Sequence, residues 1–159
     1  MIKLIVMKKE GILKITEKTA NKADVWKVLI DFESYPDWLN YILKCSGKIK
    51  SGNLLKMTLK LAGEGKKVRT VKVGTVVENK YLGLEEVSSV GAWWWNKEFV
   101  FRLVEDKEGG LKLCHEIYCN GMRFRWRKKG IARFLEKESR SFIAGARKRL
   151  SEENKSISE

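Results

Sequence analysis

Residues 25–42 read VWKVLIDFESYPDWLNYI, and the punctuation inside this stretch decides how the chain is built. Just upstream, Asn21 stands where a helix N-cap is wanted. Asp24 falls in the first turn, and Val25, Val28 and Leu29 form an apolar stripe that ends at Asp31. The chain's only proline, Pro36, then suits the start of a second short helix after Ser34 and Tyr35. Two short helices are expected here. Before them, residues 12–19 (ILKITEKT) alternate apolar with polar side chains as a half-buried strand does, with Leu13 and Ile15 on one face.

Beyond Ile42 the pattern changes to strands separated by turn signals: SGN at 51–53, AGEG at 62–65, ENK at 78–80 and DKEGG at 106–110. This reads as an antiparallel meander. LLKMTLKL places Leu55, Met57, Leu59 and Leu61 on one face and Lys56, Thr58 and Lys60 on the other, and Val71 and Val73 repeat the pattern one strand later. From about Gly130 to Leu150, Ile131, Leu135, Phe142, Ala146 and Leu150 recur at helical spacing opposite Lys and Arg, which predicts a long amphipathic helix. The chain of 159 residues is expected to form one domain over 1–159, with its core at about 11–150 and a polar tail at 151–159. Either Met1 or Met7 could begin it.

Composition narrows the chemistry. No stretch approaches the roughly 18 apolar residues of a membrane span, and the opening apolar run is too short for a signal peptide, so a cytoplasmic location is expected. Cys45, Cys114 and Cys119 are an odd count without paired metal-ligand spacing, which argues for buried thiols and against a disulfide framework or a structural metal. No cofactor fingerprint or nucleophile triad is visible. The net charge is +13, and the segment from Arg123 to Arg149 holds eleven Lys or Arg against two Glu. A negatively charged partner is therefore a live reading of that segment.

A strand, two short helices, a run of antiparallel strands and a long closing helix follow the order of the helix-grip fold. VWKVLIDFESYPDWLNYI resembles a signature of the SRPBCC superfamily, in which a helix bearing Val-Trp is followed by Asp and then Tyr-Pro-x-Trp. GKIKSGNLLKMTL is similar to the G-x-x-x-x-G-x-x-L segment that follows it there, and KEFVFRLVE and the later Glu-x-x-x-Asn-Gly before a basic helix fall in matching places. The group includes START-like lipid carriers, polyketide-cyclase-like proteins and birch-pollen-allergen-like proteins. The resemblance implies an α+β chain: a curved antiparallel sheet of about six to seven strands wrapped around the C-terminal helix, with an apolar cavity between them. Leu39-Asn40 stands where the group often has Asn-Pro, and the Trp93-Trp94-Trp95 run is unusual.

Strand parity then selects the expected cavity wall. If Phe99, Phe101 and Leu103 point inward, an unbroken strand also turns Trp93 and Trp95 inward and Trp94 outward. A bulge between Gly91 and Phe99 would invert this. On the next strand Leu113, His115, Ile117 and Cys119 take the inward positions. Met57, Leu59, Val73, Trp38, Leu135 and Phe142 complete the expected lining.

Three readings of function follow. In the first, the protein binds or transports a hydrophobic small molecule such as a lipid, an isoprenoid or a polyketide-like compound. In the second it is a cyclase- or hydratase-type enzyme using His115, the only histidine, as a general acid or base with Glu86 as partner. His115 as a hydrogen-bonded residue of the wall is the plainer alternative. In the third, Arg123, Arg125, Arg127, Lys128 and Lys129 contact an anionic membrane surface or RNA, with MRFRWRKKG as an extended strand that is apolar on one side and basic on the other.

Overall fold

The computed structural model describes residues 10–19, 21–61, 65–91, 93–105 and 107–156. Strand β1 (Glu10–Thr19) leads into helix α1 (Lys22–Ile30), a tight helical turn (Phe32–Ser34) and helix α2 (Tyr35–Trp38). Strands β2 (Ile42–Ser46), β3 (Leu54–Leu61), β4 (Gly65–Val77), β5 (Tyr81–Glu86), β6 (Asn96–Glu105) and β7 (Leu111–Asn120) follow, and helix α3 (Met122–Ser156) closes the described chain.

Local chemistry accounts for the helical start. Asn21 Oδ1 accepts the Ala23 N–H at 2.9 Å, which satisfies an otherwise orphaned donor at the start of α1. The helix then buries Val25, Trp26, Val28 and Leu29. Pro36 sits in the first turn of α2, where its missing N–H costs nothing. The Tyr35 hydroxyl donates to the Leu29 carbonyl at 2.7 Å and ties the two helices together.

The seven strands form one antiparallel sheet in the order β1-β7-β6-β5-β4-β3-β2, so every strand neighbours its successor except β1, which seals against β7. The expected parity holds on β3 and β4, where Leu55, Met57, Leu59, Val71 and Val73 are buried. Register shifts between Val73 and Val76 and between Ile42 and Lys44 bend the sheet. Helix α3 lies against β1, β7, α1 and α2. A Cβ added at Gly145 would stand 2.9 Å from the Trp38 carbonyl oxygen, so the absent side chain sets how closely α2 approaches the long helix.

The long helix begins eight residues before the expected Gly130. MRFRWRKKG is helical, not extended, which corrects the strand reading. The physical reason lies at Gly121, whose φ of +113° turns the chain sharply out of β7. The amides of Met122 and Arg123 then donate to the carbonyls of Trp93 and Trp94, each at 3.1 Å, so a neighbouring loop caps the helix start. Phe124 is buried and Trp126 is exposed, and Arg127 leaves helical geometry at φ −122° and ψ 24°, which interrupts α3 after its first turn. The helix continues to Ser156 in the segment expected to be a tail, while Met1, Met7 and 157–159 lie outside the described residues.

A Cβ at Gly121 would fall 2.4 Å from the Trp94 carbonyl oxygen in a backbone conformation that L side chains rarely adopt. Gly121→Ala is therefore expected to destabilise the fold by at least about 2 kcal/mol, measured by chemical denaturation; a loss under about 0.5 kcal/mol would refute the capping geometry.

Candidate functional site

The interior between sheet and helix is built from rings. β6 and β7 pair Phe99 with Ile117 and Phe101 with His115, and these residues together with Leu103, Leu113 and Cys119 are buried as parity requires. His115 stacks on Phe101 with ring centroids 4.3 Å apart, and Phe142 of α3 closes over both at 5.0 and 5.6 Å. From α2, Tyr35 and Trp38 meet Phe142 edge-on at 5.5 and 5.3 Å. These aromatics fill the grip, leaving a cavity of about 40 Å³ beside His115, Tyr41, Met57, Leu84 and Phe142. Such a space accommodates water and is far below the roughly 300–1,000 Å³ of organic ligand pockets.

His115 is 3% exposed, and its Nδ1 lies 2.5 Å from the hydroxyl of Ser139, which is itself fully buried on α3. Among the described residues its Nε2 has no hydrogen-bond partner. Burial holds the imidazole pKa down to about 4, against weaker upward pulls from Glu138 and Glu116, so the ring is neutral near pH 7. Glu86, the expected partner, is engaged elsewhere. Serine 139 takes that place because it lies four residues after Leu135 and three before Phe142, on the buried stripe of α3.

Glu86 belongs to a largely buried charged cluster with Arg69, Lys97 and Glu138. Lys97 Nζ lies 2.7 Å from Glu86 Oε2, and Arg69 Nε lies 3.5 Å from the same oxygen. The Arg69 guanidinium forks onto both oxygens of Glu138, with Nη2 donating to Oε2 at 3.3 Å. Burial opposes charge on all four. For Glu138 and Glu86 the facing cations outweigh it and hold both carboxyls below their ordinary range, and the two carboxylates likewise raise Arg69. Lys97 is held below its usual value by burial and by nearby Arg69. Its ammonium also stands 4.7 Å from the centre of the Phe99 ring.

This cluster forms a floor. Below it lies the small cavity, which Arg69 and Glu138 both touch; above it opens a cleft of about 490 Å³ between the sheet and the first turns of α3. Trp94, Trp95, Ile131, Phe134 and Leu135 give the cleft apolar walls, while Arg69, Lys97, Arg123 and Arg127 bring positive charge to it. The Arg123 guanidinium lies 5.6 Å from the centre of the Trp95 ring. A larger, shallower groove of about 860 Å³ runs past Trp38, Tyr41, Lys60 and Gly145 on another side of α3, without a buried charged cluster at its base.

The tryptophan parity is corrected. Residues 93–95 do not extend β6: Gly91 has a φ of +99°, the Trp94 and Trp95 amides turn back to its carbonyl, and β6 starts only at Asn96. Trp93 is 63% exposed and walls no interior; Trp94, expected outward, lines the cleft beside Trp95. Of the other expected wall residues, Met57, Phe99, Phe101, His115 and Phe142 line the small cavity and Leu135 the cleft, whereas Leu59, Val73, Leu113, Ile117 and Cys119 are closed core. Arg123, Arg125, Arg127, Lys128 and Lys129 are exposed.

Sequence reasoning missed Arg69, Lys97 and Glu138. The signal was present: Arg69 shares parity with Val71 and Val73, Lys97 with Phe99 and Phe101, and Glu138 sits between Leu135 and Phe142 at helical spacing. A charge on an apolar face needs opposite charges beside it, and these positions supply them.

No family model matches the sequence, and no curated protein matches it. Solved structures do match. A START superfamily protein from Mycobacterium smegmatis is 17% identical with a TM-score of 0.62, covering 87% of this chain and 99% of that one. Ara h 8.0201 is 12% identical with a TM-score of 0.72, covering 91% and 99%. Norcoclaurine synthase from Thalictrum flavum, solved with dopamine and hydroxybenzaldehyde, is 14% identical with a TM-score of 0.70, covering 93% and 90%. The chain therefore has the helix-grip fold of START-like and SRPBCC proteins, with a seven-stranded antiparallel sheet gripping a long C-terminal helix. No described helix is long and apolar enough to cross a membrane.

Proposed function

We propose that the protein is a cytoplasmic binding module for a small hydrophobic molecule carrying an acidic group, held in the cleft above the charged floor. The carrying observation is the cleft itself: about 490 Å³ of space with indole, phenyl and aliphatic walls and arginines at its edge. Burial of apolar ligand surface supplies the affinity, and Arg123 and Arg127 orient the anionic end. The closed grip below speaks for a ligand seated at the mouth. It also favours binding over a reaction at His115, because that imidazole is sealed under rings and engaged by Ser139.

Anilinonaphthalene sulfonate, an apolar body with one anionic group, is a suitable probe. Gly130 lines the cleft, and a Cβ there meets nothing within 4 Å, so Gly130→Trp fills the cleft without displacing backbone. That variant is expected to bind the dye at least about tenfold more weakly while melting no earlier than the parent protein. Equal dye affinity in the two proteins would remove the cleft as the site.

A further inference from the structure

Beside the mouth of the cleft stand two indoles, Trp93 and Trp126, that line no part of it and that the ligand reading does not use. Trp93 and Trp126 are 63% and 71% exposed, and each meets Trp94 edge-on, at 5.8 and 5.9 Å, so three indoles from two elements form one aromatic ridge. Val87, Val90 and Phe134, all exposed, stand at the same mouth. Exposed indoles gathered in this way leave most of their apolar area in water in the isolated chain.

The first turns of α3 give the ridge a positively charged flank. Between Met122 and Leu135 the chain has six Lys or Arg and no Asp or Glu. Lys66 and Lys67 on β4 are exposed as well, and Lys67 lines the cleft. We propose that this ridge is a docking surface for a bilayer containing anionic phospholipid, with the indoles entering the headgroup and acyl boundary and the flanking cations meeting lipid phosphates. Indole is suited to that boundary, and cations next to an apolar wedge add electrostatic attraction to an insertion that neither would sustain alone.

Single-stranded RNA is the competing partner for basic and aromatic residues, and the geometry disfavours it. Successive bases stack on rings that present their faces in series, whereas these indoles stand at interplanar angles of 66° and 88° to Trp94. The aliphatic side chains beside them offer nothing to a phosphate backbone. The ridge is also held in place: the amides of Met122 and Arg123 bond the carbonyls of Trp93 and Trp94, so the loop and the first turn of α3 present their indoles together.

Sedimentation with vesicles tests the proposal. The full chain should pellet with phosphatidylcholine vesicles containing about 30% phosphatidylserine, and not with phosphatidylcholine alone. The double variant Trp93→Ser/Trp126→Ser and the triple variant Arg125→Glu/Lys128→Glu/Lys129→Glu should each bind the anionic vesicles at least about tenfold more weakly. None of these five side chains lines the cleft, so dye binding should persist in both variants; this reports folding and keeps the test separate from the ligand reading. Absence of binding to anionic vesicles by the unmodified protein overturns the proposal. So does sensitivity to the charge reversals with none to the loss of both indoles, which would mean simple adsorption. Displacement from vesicles by an RNA oligonucleotide that itself binds through Trp93 and Trp126 would assign the ridge to RNA.

Discussion

Lowering the pH from about 7 to about 4 is expected to cost the fold about 3 kcal/mol through His115 alone. The imidazole titrates near 6.5 in the unfolded chain and near 4 when buried between Phe101 and Phe142. Between those values the unfolded state binds the proton and the folded state refuses it. Stability is thus complete above the unfolded value and drains as the pH falls towards the folded one. Glu86 and Glu138 have depressed carboxyl pKa values, so their contribution is present above about 4.5 and is lost only below it. The range from about 6.5 down to about 4.5 is accordingly the histidine's own. Denaturant titrations at several pH values should show this slope in the native sequence. It should be absent from His115→Phe/Ser139→Ala, which keeps an aromatic ring against Phe101 and leaves no buried hydroxyl unpaired. An unchanged slope in the double variant would show that His115 does not govern it.

The second large effect is expected at Arg69. Replacing it with Met leaves Glu138 without its forked partner and Glu86 with Lys97 alone, at the largely buried base of the cleft. Stranding a buried carboxylate in this way costs about 3–5 kcal/mol. Arg69→Met/Glu138→Leu should recover most of that loss, since removing both members of a buried pair replaces two desolvated ions with apolar contact while Lys97 and Glu86 remain paired. Chemical denaturation of the single and double variants measures both quantities. A single-variant loss below about 1 kcal/mol, or a double variant no better than the single, would mean that the guanidinium is not what keeps Glu138 ionised.

Periodicity carried the fold further than it carried the site. Asn21, Pro36 and the alternation through Leu55, Met57 and Leu59 act over a few residues, and each did locally what its chemistry requires. Inward parity on β6 and β7 held for Phe99 to Leu103 and for Leu113 to Cys119 because those strands run unbroken in register. It failed at Trp93 and Trp94 because parity passes only through continuous strand, and the turn that follows the positive φ at Gly91 ends that continuity, although Trp95 does line the cleft. The reading of MRFRWRKKG failed for a related reason. Spacings of two and four occur there together, and a glycine turn plus borrowed carbonyls, neither visible as periodicity, chose the helix. The charged floor was hidden by a rule of composition: Arg69, Lys97 and Glu138 read as solvent-facing until the strands and the helix bring their opposite charges together.

Because Gly121 lets two main-chain bonds fasten the opening turn of α3 to the loop bearing Trp93 and Trp94, the two jaws of the cleft share one fixed joint. Part of its gape is therefore set by backbone geometry. A position that contributes no side chain thus helps to set how far the jaws stand apart.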